Sequence, residues 1–115
     1  MARLRGKIAG QMSKYHSVRT VVDNVTFDSK READRYSELK LLIRAGTIRD
    51  LELQPEFPVV VNGVKICVYR ADFAYSALDG KRTVEDVKSG PTKTPVYRLK
   101  RKLVEAIYDI RILET

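Results

Sequence analysis

Apolar and polar positions follow three rhythms along the chain. In "VRTVVDNVTF" β-branched residues stand on both sides of Asp23-Asn24, which predicts a short hairpin turning at that pair. "FDSKREADRYSELKLLIRAG" switches to helical spacing, with Ala33, Tyr36, Leu39, Leu42 and Ile43 on one side. Ser29 and Glu32 have capping-box spacing and Gly46 suits the position after the last turn, so the helix is expected over about 29–45. Glu32 shares the i, i+4, i+7, i+11 line with Tyr36, Leu39 and Ile43, which puts it on the buried stripe or its edge. Glu38 falls off that line and reads as solvated.

Alternation then returns. "TIRDLELQPEFPVVV" reads as extended with a break at Pro55. "VKICVYRADFAYSA" reads as one long strand after an Asn62-Gly63 turn, and "TVEDVK" as the next strand after an Asp79-Gly80 turn. A second helix is expected from about 95 to 109, with Thr94 as cap and Pro95 in its first turn. Its apolar face would be Val96, Leu99, Leu103, Ala106 or Ile107, and Ile110. "RILE" closes the chain as a short strand. The order (β-hairpin)-α-β-β-β-α-β predicts an α/β (α+β) domain: a central mixed β-sheet flanked by helices, each of which has one apolar face to bury. Residues 1–17 carry little apolar pattern and read as a flexible basic arm, leaving one domain over 18–115.

Composition narrows the classes. No apolar run nears the roughly 20 residues that cross a bilayer, and the basic N-terminus lacks a secretory apolar region. The single cysteine, Cys67, leaves no internal disulfide framework and no multi-cysteine zinc site, and fits a reducing cytoplasm. The net charge of +7 points to a polyanionic partner. Two stretches hold cations and no acid: residues 1–20, with Arg3, Arg5, Lys7, Lys14 and Arg19, and residues 91–102, with Lys93, Arg98, Lys100, Arg101 and Lys102. A solvated charge run is the bland alternative for either alone; together they favour phosphate contacts.

The candidate chemistry lies in "VEDVKSG". On a strand, Asp86 and Lys88 share one face, and Glu85 and Val87 point the other way. On the preceding strand Asp72 shares a face with Arg70 and Ala74, opposite the core residues Cys67, Tyr69, Ala71 and Phe73. If the two strands pair, Asp72 can lie near Asp86, and Glu32 can join them if the first helix packs on that face. Converging carboxylates need a cation, and an all-oxygen donor set favours Mg²⁺ or Mn²⁺ over zinc. A neighbouring lysine could orient or deprotonate a water, or stabilise charge on a phosphorus, which together suits phosphodiester hydrolysis. A surface ion pair between Asp86 and Lys88 is the plainer alternative.

"PEFPV…YRADFAY…VEDVKSG" resembles the core of the PD-(D/E)XK nuclease superfamily, and from about residue 14 onward "FDSKREADRYSELKLLIRAGTIRDLELQPEF", "ADFAY", "VEDVKSG" and "YRLKRKL" are similar to a family of small phage and prophage proteins of unknown function. The resemblance implies a restriction-endonuclease-like core. It implies Glu32, Asp72 and Asp86 as metal ligands with the backbone carbonyl of Val87, Lys88 as the catalytic lysine, and a supporting role for Gln54. The chain departs from the pattern in carrying Ala71 where proline is common, and Asp86 where the acid is often the longer glutamate.

The implied activity is a Mg²⁺- or Mn²⁺-dependent DNA endonuclease, with Holliday-junction resolution in phage recombination or replication as the specific expectation. Symmetric cutting of a junction calls for a homodimer. Lys93, Arg98, Arg101 and Lys102 would hold the DNA backbone beside the site, with "SGPTKTP" a flexible loop leading into the second helix. Tyr97 reads better as the edge of the core than as a base-stacking residue, and His16 receives no catalytic role. The alternatives are a non-catalytic DNA-binding accessory protein of phage replication and a structural basic protein of the ribosomal type.

Overall fold

The computed structural model describes residues 18–115. The expected arm, with Arg3, Arg5, Lys7, Lys14 and His16, lies outside the described residues. Strands β1 (Thr20–Val22) and β2 (Val25–Phe27) form the first hairpin. Asp23 and Asn24 both take positive φ, the left-handed pair that a two-residue hairpin turn requires. Helix α1 (Lys30–Arg44) starts where Ser29 Oγ accepts the Glu32 N–H at 3.1 Å. It stops where Gly46 turns left-handed. There the Gly46 and Thr47 N–H groups bond back to the Ile43 and Leu42 carbonyls, both at 2.9 Å, and so satisfy the open last turn.

Five strands follow α1 before the next helix, where the pattern predicts three. They are β3 (Ile48–Leu53), β4 (Glu56–Val61), β5 (Val64–Arg70), β6 (Phe73–Ala77) and β7 (Arg82–Asp86). Helix α2 (Pro95–Tyr108) and strand β8 (Ile112–Glu114) complete the chain. The central sheet runs β3-β6-β7-β8, antiparallel except for the parallel β7–β8 pair, so it is mixed. β4 and β5 form a separate hairpin through Asn62-Gly63.

The stretch expected as one long strand therefore breaks at Ala71-Asp72. Up to Ala71 the chain pairs with β4's side, the Ala71 N–H reaching the Pro55 carbonyl at 3.0 Å. At Asp72 it changes partners: the Asp72 N–H bonds the Glu85 carbonyl at 3.0 Å, and the Asp72 carbonyl accepts from the Gln54 N–H at 2.9 Å. Gln54 takes a positive φ of 52° to turn the chain between β3 and β4. Both predicted strands thus split at the same place in space, one at Gln54-Pro55 and the other at Ala71-Asp72. The split also corrects the expected facing. Tyr69, Ala71 and Ala74 lie in one buried cluster, while Phe73 belongs to the other.

Each face of the sheet carries one cluster. Ala33, Tyr36 and Leu39 of α1 pack with Phe27, Phe73, Tyr75 and Val87. Tyr97 and Val104 of α2 pack with Val59, Tyr69, Ala74, Val84 and Ile112. Burying a side chain such as Leu39 is worth about 1.5–3 kcal/mol. Ile43, expected on the α1 stripe, is exposed beyond the packed surface. Leu103 and Ile110 of the expected α2 face pack against this core, but Val96 and Leu99 are 62% and 60% exposed and Ile107 is also exposed. Tyr97, Arg101 and Val104 face inward instead, because Arg101 answers Glu105 and Glu114 (3.3 and 3.1 Å) while Tyr97 and Val104 fill the space beside β8.

Candidate functional site

The register of the β6–β7 hairpin decides where the acids meet. Phe73 pairs with Glu85, so one step outward Asp72 stands opposite Asp86, where the chain leaves both strands. The Asp72 carboxylate also accepts the Val87 N–H at 2.7 Å, which ties the two strand ends together. Glu85 and Val87 point to the α1 face, as the pleat requires: Glu85 is fully buried in a two-pronged ion pair with Arg35, and Val87 lies in the α1 core. Glu85 is thereby kept away from Asp72's carboxylate.

α1 packs on this Glu85–Val87 face, not on the Asp86–Lys88 face, because that is where Phe73, Tyr75 and Val87 offer apolar surface to Ala33, Tyr36 and Leu39. Glu32, in the first turn of α1, still lines the same cleft as the two aspartates and acts on Asp72 through its charge. The result is an open cleft of about 630 Å³ lined by Glu32, Gln54, Asp72, Asp86 and Lys88, with Tyr69, Arg70, Tyr97 and Lys100 among the remaining walls. Among the described residues no three His, Cys, Asp or Glu side chains are arranged closely enough to hold a metal ion as they stand.

Among the cleft acids, Asp72 feels its surroundings through burial and through its charged neighbours. Burial first, then the neighbouring Asp86 and Glu32, push the Asp72 carboxyl far above the ordinary carboxylate range; the Val87 N–H acts the other way. Lys88 Nζ lies 3.7 Å from Asp86 Oδ1 and 4.6 Å from the centre of the Tyr97 ring. Tyr69, expected as plain core, donates its hydroxyl to Asp86. Burial and the Asp86 charge push the Tyr69 phenol up, so it stays a donor. Nothing local in "VYRAD" marked Tyr69, because its meeting with Asp86 depends on how the β4–β5 hairpin folds over the sheet. Tyr97 is buried as expected, yet it also borders the cleft and donates to Glu114 at 2.7 Å.

The basic residues divide. Arg19, Arg98 and Lys102 are exposed. Lys93 pairs with Glu114 at 3.1 Å, and Arg101 bonds Glu105, Glu114 and the Ile112 carbonyl, so both serve the fold as well as carrying charge. The cause is Glu114 on β8, half-buried and answered by Tyr97 and Arg101 of α2 and by Lys93 just before it, which hold its carboxyl below the ordinary range. Lys100 is the α2 cation that lines the cleft. The "SGPTKTP" segment contains a 3₁₀ turn over Gly90–Thr92, in which the Ser89 N–H donates to Thr92 Oγ1 at 3.1 Å, rather than an open loop.

This is an α+β domain with a carboxylate–lysine cleft at the ends of two paired strands. Residues 12–113 match the model of the family described as "Protein of unknown function (DUF1064)", and the chain belongs to that family. No curated protein and no solved structure is significantly similar to it. Among the described residues, no helix is long and apolar enough to cross a membrane.

Proposed function

We propose that this protein is a metal-dependent endodeoxyribonuclease of the PD-(D/E)XK type, acting on branched DNA and on the four-way junction in particular. The observation that supports it is the gathering of Glu32, Gln54, Asp72, Asp86 and Lys88, widely spaced in the chain, around one cleft. The donor set fits a hard divalent cation: the carboxyls offer only oxygen, and positive charge between them would offset the burial and the Asp86 and Glu32 charges that raise the Asp72 pKa. Asp72, Asp86, Glu32 and the Val87 carbonyl would hold Mg²⁺ or Mn²⁺. When bound, the ion supplies charge neutralisation at the phosphate and a more acidic water.

The chain's own groups do the rest. Tyr69 orients the Asp86 carboxylate. Lys88, steadied by Asp86 and the Tyr97 ring, places an ammonium where negative charge develops on the attacked phosphate. Arg70 and Lys100 in the cleft wall can take neighbouring phosphates, with the exposed Arg19, Arg98 and Lys102 adding basic charge; Arg3, Arg5, Lys7 and Lys14 are further cations of the sequence that DNA could engage. Paired cuts across a two-fold junction call for a homodimer. A phage- or prophage-encoded protein working in the host cytoplasm fits this reading.

The test is incubation with a synthetic four-way junction, linear duplex and single strand, in Mg²⁺, Mn²⁺ or EDTA, with Asp86→Ala and Lys88→Ala alongside. Metal-dependent cutting lost in both variants is expected. No cleavage of any substrate would overturn the nuclease, and binding without cleavage would support the accessory-protein reading instead. Equal cutting of duplex and junction would remove the junction preference alone.

A further inference from the structure

Glu85 is 0% exposed and does not line the cleft, yet its bonds reach the segments that carry Glu32, Asp72 and Asp86. Its side chain accepts from Arg35 Nε at 2.8 Å and Arg35 Nη2 at 2.6 Å, and also from the Tyr75 hydroxyl. Arg35 stands one helical turn after Glu32 on α1. The Glu85 carbonyl accepts the Asp72 N–H at 3.0 Å. Its own peptide bond leads to Asp86. One residue therefore connects the three chain segments bearing Glu32, Asp72 and Asp86.

The energetics ask for an explanation of this pair. Withdrawing a carboxylate and a guanidinium from water costs about as much as their attraction returns, so apolar residues of similar volume often hold a fold equally well. What apolar residues lack is direction. A two-pronged guanidinium–carboxylate fork opposes both sliding and rotation of α1 on β7. The apolar contacts of Ala33, Tyr36 and Leu39 would tolerate small shifts along the helix axis, and such shifts would carry Glu32 away from the strand ends.

We propose that Arg35 and Glu85 are positioning residues whose fork sets the register of α1 on β7 and so holds Glu32 beside Asp72 and Asp86, shaping the cation site of the cleft. The proposal rests on the reading of that cleft as a divalent-cation site. Supporting groups behind metal ligands commonly change affinity by about 10–100-fold when removed.

The test titrates Mn²⁺ into the full-length chain, by calorimetry and by the spin-resonance signal of free Mn²⁺, and records thermal melting in parallel. The variant is Arg35→Met with Glu85→Gln, which leaves no buried charge and keeps an acceptor for Tyr75. Its melting temperature is expected within about 4 °C of the parent, the equivalent of ~1 kcal/mol. Its Mn²⁺ affinity is expected to fall by about 10-fold or more. Unchanged affinity in the folded double variant would overturn the proposal. If that variant does not fold, Arg35→Lys, which keeps the charge and loses the fork, is read instead, and full parental affinity there would overturn it as well. Glu38→Gln, which removes Arg35's solvent-side partner, should leave affinity alone, and a loss there equal to that of the double variant would overturn the specific role of Glu85. Absence of saturable Mn²⁺ binding by the parent would refute the cation site itself, a result distinct from a parent that binds and a variant that binds equally well.

Discussion

The Lys88 ammonium sits 4.6 Å from the centre of the Tyr97 ring, so the end of β7 is joined to the first turns of α2 by a cation–π contact. The residue is held at both ends: the Tyr97 backbone N–H donates to the cap Thr94 Oγ1 at 3.1 Å, and the ring hydroxyl donates to Glu114. Lys88 is thus oriented by a fixed surface as well as by Asp86. On the proposed nuclease reading, Tyr97→Phe keeps the ring and should retain most of the cleavage rate. Tyr97→Leu removes about 1 kcal/mol of orienting interaction and should slow single-turnover cleavage of a junction about fivefold. Equal rates in the two variants would show that the ring does not orient Lys88.

The crowded acids make a pH-dependent prediction. Asp72 has a folded-state pKa raised above the ordinary value of 3.8, first by burial and then by Asp86 and Glu32. The folded state therefore holds a proton that the unfolded chain has released, and metal-free stability falls as pH rises above that ordinary value and on through neutrality. Asp72→Asn removes the titrating group and keeps an oxygen to accept from Val87. At about pH 8 without metal it should melt higher than the parent, by roughly 4–8 °C for each ~1 kcal/mol gained. The difference should shrink towards about pH 4, where the unfolded acid is itself largely protonated. Melting curves of both proteins across that range in EDTA check it.

The helix cap that begins α1 also begins the site, since Ser29 Oγ accepts from the N–H of Glu32 itself. Ser29→Ala should cost about 1 kcal/mol and lower the melting temperature by roughly 4–8 °C. Ser29→Asp should restore most of it, because the carboxylate caps equally well and suits the positive end of the helix. Thermal denaturation of the two variants separates capping from a general effect of substitution.

The cations of α2 should separate into two kinds. Arg98→Ala and Lys102→Ala remove exposed charges, so each should leave the melting temperature unchanged and reduce the slope of log K against log salt for DNA binding by about 1. Arg101→Ala should instead lower stability by roughly 1–3 kcal/mol, because it removes a half-buried donor from Glu114 and from the Ile112 carbonyl. Titrations at several salt concentrations, paired with melting curves, test both halves.

The features legible in the sequence are local ones. The Ser29 cap, the Gly46 stop and the turns at Asp23-Asn24, Asn62-Gly63 and Asp79-Gly80 depend on residue chemistry within a few positions, and α1 and the three hairpins appear where that chemistry puts them. Strand parity likewise separates Glu85 from Asp86 whatever the strand packs against. Other features were settled only by contacts distant in the chain. The break at Asp72 exists because Glu85 and Gln54 claim its backbone groups after Pro55 has claimed those of Ala71. The inward turn of Tyr97 and Arg101 on α2 follows from Glu114, a strand away. Tyr69 reaches Asp86 only because the β4–β5 hairpin leaves the central sheet. Periodicity names the side chains that want burial, but an apolar stripe has no direction of its own. Hydrogen bonds and ion pairs between remote segments decide which stripe faces inward and which acids share a cleft.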